Sequence, residues 1–197
     1  MNEKRTGFVN QMISPHILAI PPYVAGKPIA ELTRELGISD AIKMASNENP
    51  LGPPPLAMKA VEDQLRAAHV YPESSGPDLR EAIAARFGLP PDHVILGNGS
   101  DEIMEMSAHL LMKPGDEAIM GENAFSMYRI CVEAFAGKPV RVPLKNYRYD
   151  LTAMAKAVSD RTRLIFIAIP NSPTGTIVPK GEFEAFVRDL PQDRLLL

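Results

Sequence analysis

From residue 93 onward, short apolar runs alternate with longer segments in which apolar positions recur every three or four residues. HVIL at 93–96 predicts a short strand, GNGS a turn and DEIMEMSAHLLM a helix. EAIM predicts a strand, AFSMYRICVEAFAG a helix closed by glycine, and KPVRV a further strand. Asp150 caps LTAMAKAV, RLIFIAI is a strongly apolar strand, and PKGEFEAFVRDL is a helix before the last run, RLLL. Apolar strands alternating with amphipathic helices call for an α/β fold with a mostly parallel sheet covered on both faces. RLLL has the character of a core strand that has just begun. A domain ending there leaves apolar surface exposed, so the chain is expected to be truncated and to fold poorly by itself.

The first 92 residues are less regular. PIAELTRELG starts a helix at Pro28, spaces Ile29, Leu32 and Leu36 along one face and stops it at Gly37. A second helix starts at Pro55 and carries Leu56, Ala60, Val61, Leu65 and Ala68. A third starts near Pro77, with Leu79, Ile83 and Phe87 four apart. The nineteen prolines cluster at element boundaries, where they act as punctuation. Residues 1–75 read as an arm and part of a small domain, and residues 76–197 as the first part of a larger one.

Composition narrows the classes of function. Apolar residues make up 45% and charged residues 23%, which suits a globular chain. A net charge of -3 gives no excess positive field for nucleic acid or an anionic membrane, so a phosphate site would have to be local. No apolar window reaches the ~18 residues of a membrane span, and the amino-terminal stretch has no apolar leader core. The single cysteine, Cys131, excludes an internal disulfide framework and lies in an apolar run, as a buried inert thiol would. A cytoplasmic protein is expected. His16, His69, His93 and His109 are scattered without metal-ligand or triad spacing, so no metal site is expected.

In open α/β sheets, ligands collect where strands end and helices begin, and three such loops have suitable chemistry. In ILGNGSDEI the glycines at 97 and 99 permit a tight turn, and Ser100 and Asp101 open a helix whose free N–H groups and positive dipole end suit a phosphate. The same residues also suit a plain N-cap. Asp101 and Glu102 would repel an anion unless their side chains turn away. The spacing is neither a Walker loop nor G-x-G-x-x-G. In ENAFSMYRI, Phe125 and Tyr128 are either core aromatics or, at a strand's carboxyl edge, a platform for a flat ring. In IAIPNSPTGT, Asn171 or Ser172, held between Pro170 and Pro173, can hydrogen-bond a ring substituent; the loop is otherwise an ordinary turn.

KMASNENPLGPPP, YPESSGPDLREAIA, ILGNGSDEI, AFSMY and PNSPTGT stand in the order and at the separations of the fold-type I, pyridoxal-phosphate-dependent aminotransferases. Within them the chain most resembles the histidinol-phosphate aminotransferase branch, through ASNENPLGP followed by YPE. The resemblance runs from about Pro22 to Leu197. It implies that residues 76–197 are the first part of the cofactor-binding large domain, with pyridoxal 5'-phosphate as cofactor. Gly99, Ser100 and Asp101 would hold the cofactor phosphate, and Phe125 would stack on the pyridine ring where relatives often have tyrosine. Tyr71 would reach the cofactor phosphate of the partner subunit in a homodimer. Tyr23 would hold the substrate phosphate, and Asn47, Glu48 and Asn49 would line the substrate entrance. Relatives carry asparagine immediately before PTG, bonded to the cofactor's phenolic oxygen; here that place is Ser172, or Asn171 substitutes for it.

The family's aspartate for the pyridine nitrogen, its Schiff-base lysine and its substrate-binding arginines have no counterparts among these residues. None of the nine lysines matches the lysine motif. The resemblance implies reversible amino transfer between glutamate and imidazole-acetol phosphate, giving histidinol phosphate, with these 197 residues inactive alone. Competing readings are an aromatic-amino-acid aminotransferase, a phospho-amino-acid decarboxylase of the same fold, and a non-catalytic α/β module or remnant that keeps only a phosphate cup.

Overall fold

A computed structural model describes residues 10–23, 26–38, 40–44 and 46–197. Lys4, one of the nine lysines, and Ala45, the first residue of the ASNENPLGP stretch, therefore lie outside the described residues. The chain divides into two compact units, one comprising residues up to Tyr23 together with Gly97–Leu197, the other lying within Val24–Leu96.

In the first unit, the short helix α1 (Pro15–Leu18) precedes the second unit in sequence. The second unit contributes α2 (Ile29–Leu36), α3 (Pro55–Gln64) and α4 (Pro77–Phe87). Helices α3 and α4 begin at the prolines that marked them, because proline has no N–H to lose in a first turn and its φ is already helical, whereas α2 begins one residue after Pro28, which is its extended N-cap. Gly37 and Gly88 close α2 and α4 in the left-handed conformation, with φ of 67° each. The apolar faces marked by Leu56, Leu65, Leu79 and Phe87 are exposed; in α4 the buried residue is Ala84.

HVIL does not form a strand. Pro91–His93 is a 3₁₀ turn, and the Arg80 guanidinium donates to the Val94 carbonyl at 3.1 Å and the Pro91 carbonyl at 2.8 Å. A side chain thus meets backbone acceptors that a neighbouring strand would otherwise satisfy.

The sheet is built from β1 (Glu117–Gly121), β2 (Lys138–Val142), β3 (Thr162–Ile165) and β4 (Leu195–Leu196), in the order β2-β1-β3-β4 with every pair parallel. The RLIFIAI strand is shorter than its apolar run, although Phe166 and Ile167 still donate to the carbonyls of Ile119 and Leu197. Helices α5 (Gly99–Leu111), α6 (Ser126–Ala134), α7 (Leu151–Lys156) and α8 (Lys180–Asp189) cover it.

Strand alternation sorts the core into two layers. Ala118, Met120, Leu164 and Phe166 pack with Met104, Ala108, Met112, Tyr128 and Val132 of the α5 and α6 side. Ile119 and Ile165 pack with Leu151, Met154, Val178 and Phe186 of the α7 and α8 side. Asp150 caps α7 by accepting from the Ala153 N–H at 2.9 Å. Helix α6 ends earlier than its apolar run: Ala136 takes the left-handed turn at φ 55°. Packing at Gly137 is close: a Cβ there would lie 2.3 Å from the Met112 Cε and 3.1 Å from the Val132 carbonyl oxygen.

Cys131 sits in the first layer, where burial, followed by the nearby charges of Glu105 and Asp101, pushes its thiol up to about 11. The thiolate is the reactive form. Native protein is therefore expected to be inert to a disulfide reagent at neutral pH and to release one equivalent of thiol on denaturation; rapid native labelling would contradict this.

At the amino edge, the buried Glu117 carboxylate accepts from Ser159 Oγ at 2.6 Å and Arg161 Nε at 2.9 Å. These hydrogen bonds, Ser159's first, hold its pKa below the ordinary 4.5. The ionised carboxylate therefore contributes stability that is fully present above that value and is lost as pH falls through the lowered folded value. Glu117→Gln is expected to lower the melting temperature at neutral pH and to flatten its decline below about pH 5. Parallel melting profiles for the two proteins would contradict the assignment.

Among the described residues, no helix is long and apolar enough to cross a membrane, and no group of three or more His, Cys, Asp or Glu residues could hold a metal ion.

Candidate functional site

Three loops meet the carboxyl edge of the sheet. Helix α5 leads through a short turn into the amino end of β1, so its own N-terminus lies towards the opposite edge. The second loop follows β1 and carries Phe125; the third follows β3 and contains PNSPTGT.

At the first loop, Gly99 has φ 76°, a left-handed conformation that side chains rarely adopt. No side chain caps the first turn of α5 among the described residues. Glu102 turns back onto the start of the helix, where its carboxylate accepts from the Asn98 backbone N–H at 2.5 Å and from Asn98 Nδ2 at 2.9 Å; it takes none of the first-turn N–H groups of Ser100 and Asp101. Ser100 and Asp101 are exposed in the same turn. The Gly99 N–H donates to the Gly97 carbonyl at 2.9 Å, so the open N–H groups of this first turn are those of Ser100 and Asp101, which with the positive dipole end suit a phosphate.

At the second loop, Phe125 is half-buried at the N-cap of α6 and meets Tyr128 edge to face, with centroids 5.7 Å apart. Tyr128 lies flat on Phe166 at 4.7 Å, and burial raises its hydroxyl pKa. Tyr128 is thus a core aromatic, whereas Phe125 keeps one part at the surface.

In the third loop, Asn171 is 2% exposed and its side chain is fully engaged. Its Oδ1 accepts from the Tyr149 hydroxyl at 2.7 Å; its Nδ2 donates to the Asn123 carbonyl at 3.3 Å and to Thr174 Oγ1 at 2.8 Å. Ser172 is half-buried, and its hydroxyl has no hydrogen-bond partner among the described residues. Tyr149, which sequence reasoning did not single out, is 3% exposed, and burial pushes its hydroxyl up to about 12. Its signal was weak: one aromatic just before the Asp150 cap.

Tyr23 is 55% exposed at the end of the first unit's leading segment. The other expected positions belong to the second unit. Tyr71 is 97% exposed. Asn47 is left-handed at φ 51°, Glu48 pairs with Lys43, and Asn49 Oδ1 accepts from the Leu51 N–H at 3.0 Å. Those bonds shape a compact polar turn.

A cleft of about 530 Å³ lies between α7 and α8. Lys145, Arg148 and Lys156 face Asp150, Glu182 and Asp189 there, and Arg148 pairs with Glu182 at 3.6 Å. Balanced charge makes it a poorer phosphate site than the α5 terminus.

The family profile "Aminotransferase class I and II" matches residues 39–197. The chain belongs to the class I and II aminotransferase family. It is 45% identical to the histidinol-phosphate aminotransferase of Moorella thermoacetica over 181 residues, covering 92% of this chain and 47% of that protein. It is also 45% identical to histidinol-phosphate aminotransferase 1 of Mannheimia succiniciproducens, covering 92% of this chain and 50% of that one. Among solved structures, the histidinol-phosphate aminotransferase of Sinorhizobium meliloti in complex with pyridoxal-5'-phosphate superposes with a TM-score of 0.84 at 27% identity, covering 93% of this chain and 49% of that one. The chain thus spans about half the length of the relatives it matches. The family membership agrees with the fold: a parallel sheet flanked by helices, with loops of binding character at its carboxyl edge.

Proposed function

We propose that these residues form the phosphate-cup half of a pyridoxal 5'-phosphate-dependent enzyme that transfers an amino group reversibly between glutamate and imidazole-acetol phosphate, giving histidinol phosphate in histidine biosynthesis. The observation that carries this reading is the 45% identity to a histidinol-phosphate aminotransferase across 92% of the chain. The bound cofactor supplies an electron sink for the charge that develops at the amino acid's α-carbon.

The residues of this chain bind and orient it. The first turn of α5, at Gly99, Ser100 and Asp101, holds the phosphate through backbone N–H groups and the helix dipole. Phe125 covers one face of the ring and keeps water from it. The PNSPTGT loop donates a hydrogen bond to the ring's oxygen substituent, from Ser172 or Asn171. Tyr71 reaches the cofactor phosphate of the partner subunit in a homodimer, Tyr23 binds the substrate phosphate, and Asn47, Glu48 and Asn49 line the substrate entrance. The enzyme works in the cytoplasm on small molecules. The 197 residues do not transaminate by themselves: Lys113, Lys138, Lys145, Lys156 and Lys180 of the first unit are all exposed, which does not suit a lysine enclosed against a cofactor.

Two assays test the reading. The enzyme containing these residues is expected to form histidinol phosphate from glutamate and imidazole-acetol phosphate; turnover of aromatic amino acids without that product would overturn the substrate assignment. Borohydride treatment of the 197-residue chain with pyridoxal phosphate, followed by peptide mapping, is expected to show no single modified lysine. Stoichiometric modification at one lysine would overturn the inactivity.

A further inference from the structure

We propose that Tyr149 and Asn171 form a positioning pair that locks the Phe125 loop and the Ser172 loop to each other, leaving Ser172 as the residue of the PNSPTGT loop that faces the ligand. The part concerning the ligand rests on the function proposed above; the locking of the loops does not.

The hydrogen-bond directions are determined by chemistry. The Asn123 carbonyl can only accept, so the amide nitrogen of Asn171 must face it. The amide oxygen then faces the Tyr149 hydroxyl, which must donate, at 2.7 Å. That hydroxyl in turn accepts from the Ala168 N–H at 3.3 Å. A single chain of bonds therefore runs from the end of β3, through Tyr149 and Asn171, to the backbone two residues before Phe125.

Both donors of the Asn171 amide are in use, the second on Thr174 Oγ1 at 2.8 Å. Its main chain is also occupied: its N–H donates to the Thr176 carbonyl at 2.8 Å and its carbonyl accepts from Gly175 at 2.7 Å. An Asn171 turned towards a ligand would break this set inside a buried site, at the cost of stranded polar groups. Ser172 is the neighbour whose hydroxyl has no partner among the described residues. Tyr149 stays protonated throughout the neutral range, since burial raises its pKa, so its role as donor does not switch. Its ring is held by contact with the end of β1: a Cβ on Gly121 would lie 2.7 Å from its Cε1. Tyr149 thus rests on β1, bonds the end of β3 and orients the loop between Asn171 and Thr176. It touches no ligand itself and is a positioning residue.

The test uses Tyr149→Phe, Ser172→Ala and the double variant. In hydrogen–deuterium exchange without cofactor, Y149F is expected to speed exchange up to about tenfold in both 122–126 and 168–176, the loss of one net hydrogen bond, and to leave the amides of Met104–Met112 unchanged. Faster exchange in 168–176 alone, or in neither segment, would overturn the pair. In a fluorescence titration with pyridoxal phosphate, S172A and Y149F are each expected to weaken binding, and the double variant to bind no worse than Y149F, because Tyr149 acts through the placement of Ser172. Additive losses would show a merely structural tyrosine and overturn the ligand-facing part. If the unsubstituted protein binds no pyridoxal phosphate, the cofactor reading fails and the exchange data still decide whether the loops are locked. Should Y149F unfold, Thr174→Val removes an acceptor from the same amide: loosening of both segments supports the pair, and loosening of 168–176 alone contradicts it.

Discussion

Replacing Phe166 with alanine is expected to lower the unfolding free energy by about 3–5 kcal/mol, the range for deleting a buried aromatic side chain. Phe166 is fully buried and stacks on Tyr128 at an interplanar angle of 11°. It sits at the end of β3, where its N–H donates to the Ile119 carbonyl at 2.8 Å. Helices α5 and α6 close over the same layer, so a cavity there is walled by the sheet on one side and two helices on the other. Neither can collapse into it without shifting the strand that leads to Asn171. Urea unfolding followed by circular dichroism would measure the loss, and Phe166→Leu, which refills most of the volume, should recover much of it. A loss below about 1 kcal/mol would mean that the layer repacks, contrary to the density expected of a core.

Gly121→Val is the second large effect, expected to cost about 1–3 kcal/mol through overpacking. Gly121 ends β1, and its Cβ position lies 2.7 Å from Tyr149 Cε1 and 3.0 Å from Leu144 Cδ2. The valine must displace the Tyr149 ring, which removes the donor to Asn171 as well as the packing. Gly121→Val should therefore loosen 122–126 and 168–176 in the same way as Tyr149→Phe, with a lower melting temperature in addition. Loss of stability with both loops still protected would show that the ring can yield without releasing its hydroxyl.

The carboxyl-edge loops were legible because their chemistry is local. A glycine pair before a helix start, an aromatic after a strand and a proline-bracketed polar loop each announce themselves in a few consecutive residues. Tyr149 could not be found this way. Its partners are Asn171, Ala168 and Gly121, and only the packing of β1 beside β3 brings those backbones within reach of one phenol. The strand expected at HVIL failed for a related reason: an apolar run becomes a strand only if another strand pairs with it, and there Arg80 meets the backbone acceptors instead.

By itself the sequence determined the alternation of strands and helices, the proline starts of α3 and α4, the glycine stops of α2 and α4, and the family to which the chain belongs. These depend on periodicity, backbone restriction and consecutive motifs, all of which are properties of neighbouring residues. The tertiary structure alone decided the strand order β2-β1-β3-β4, the bonding of Glu102 back to Asn98 at the start of α5, and the full engagement of Asn171, which leaves Ser172 without a side-chain partner among the described residues. Those depend on which groups meet across the fold, because a hydrogen bond between residues 22 positions apart exists only once the sheet has brought them to 2.7 Å.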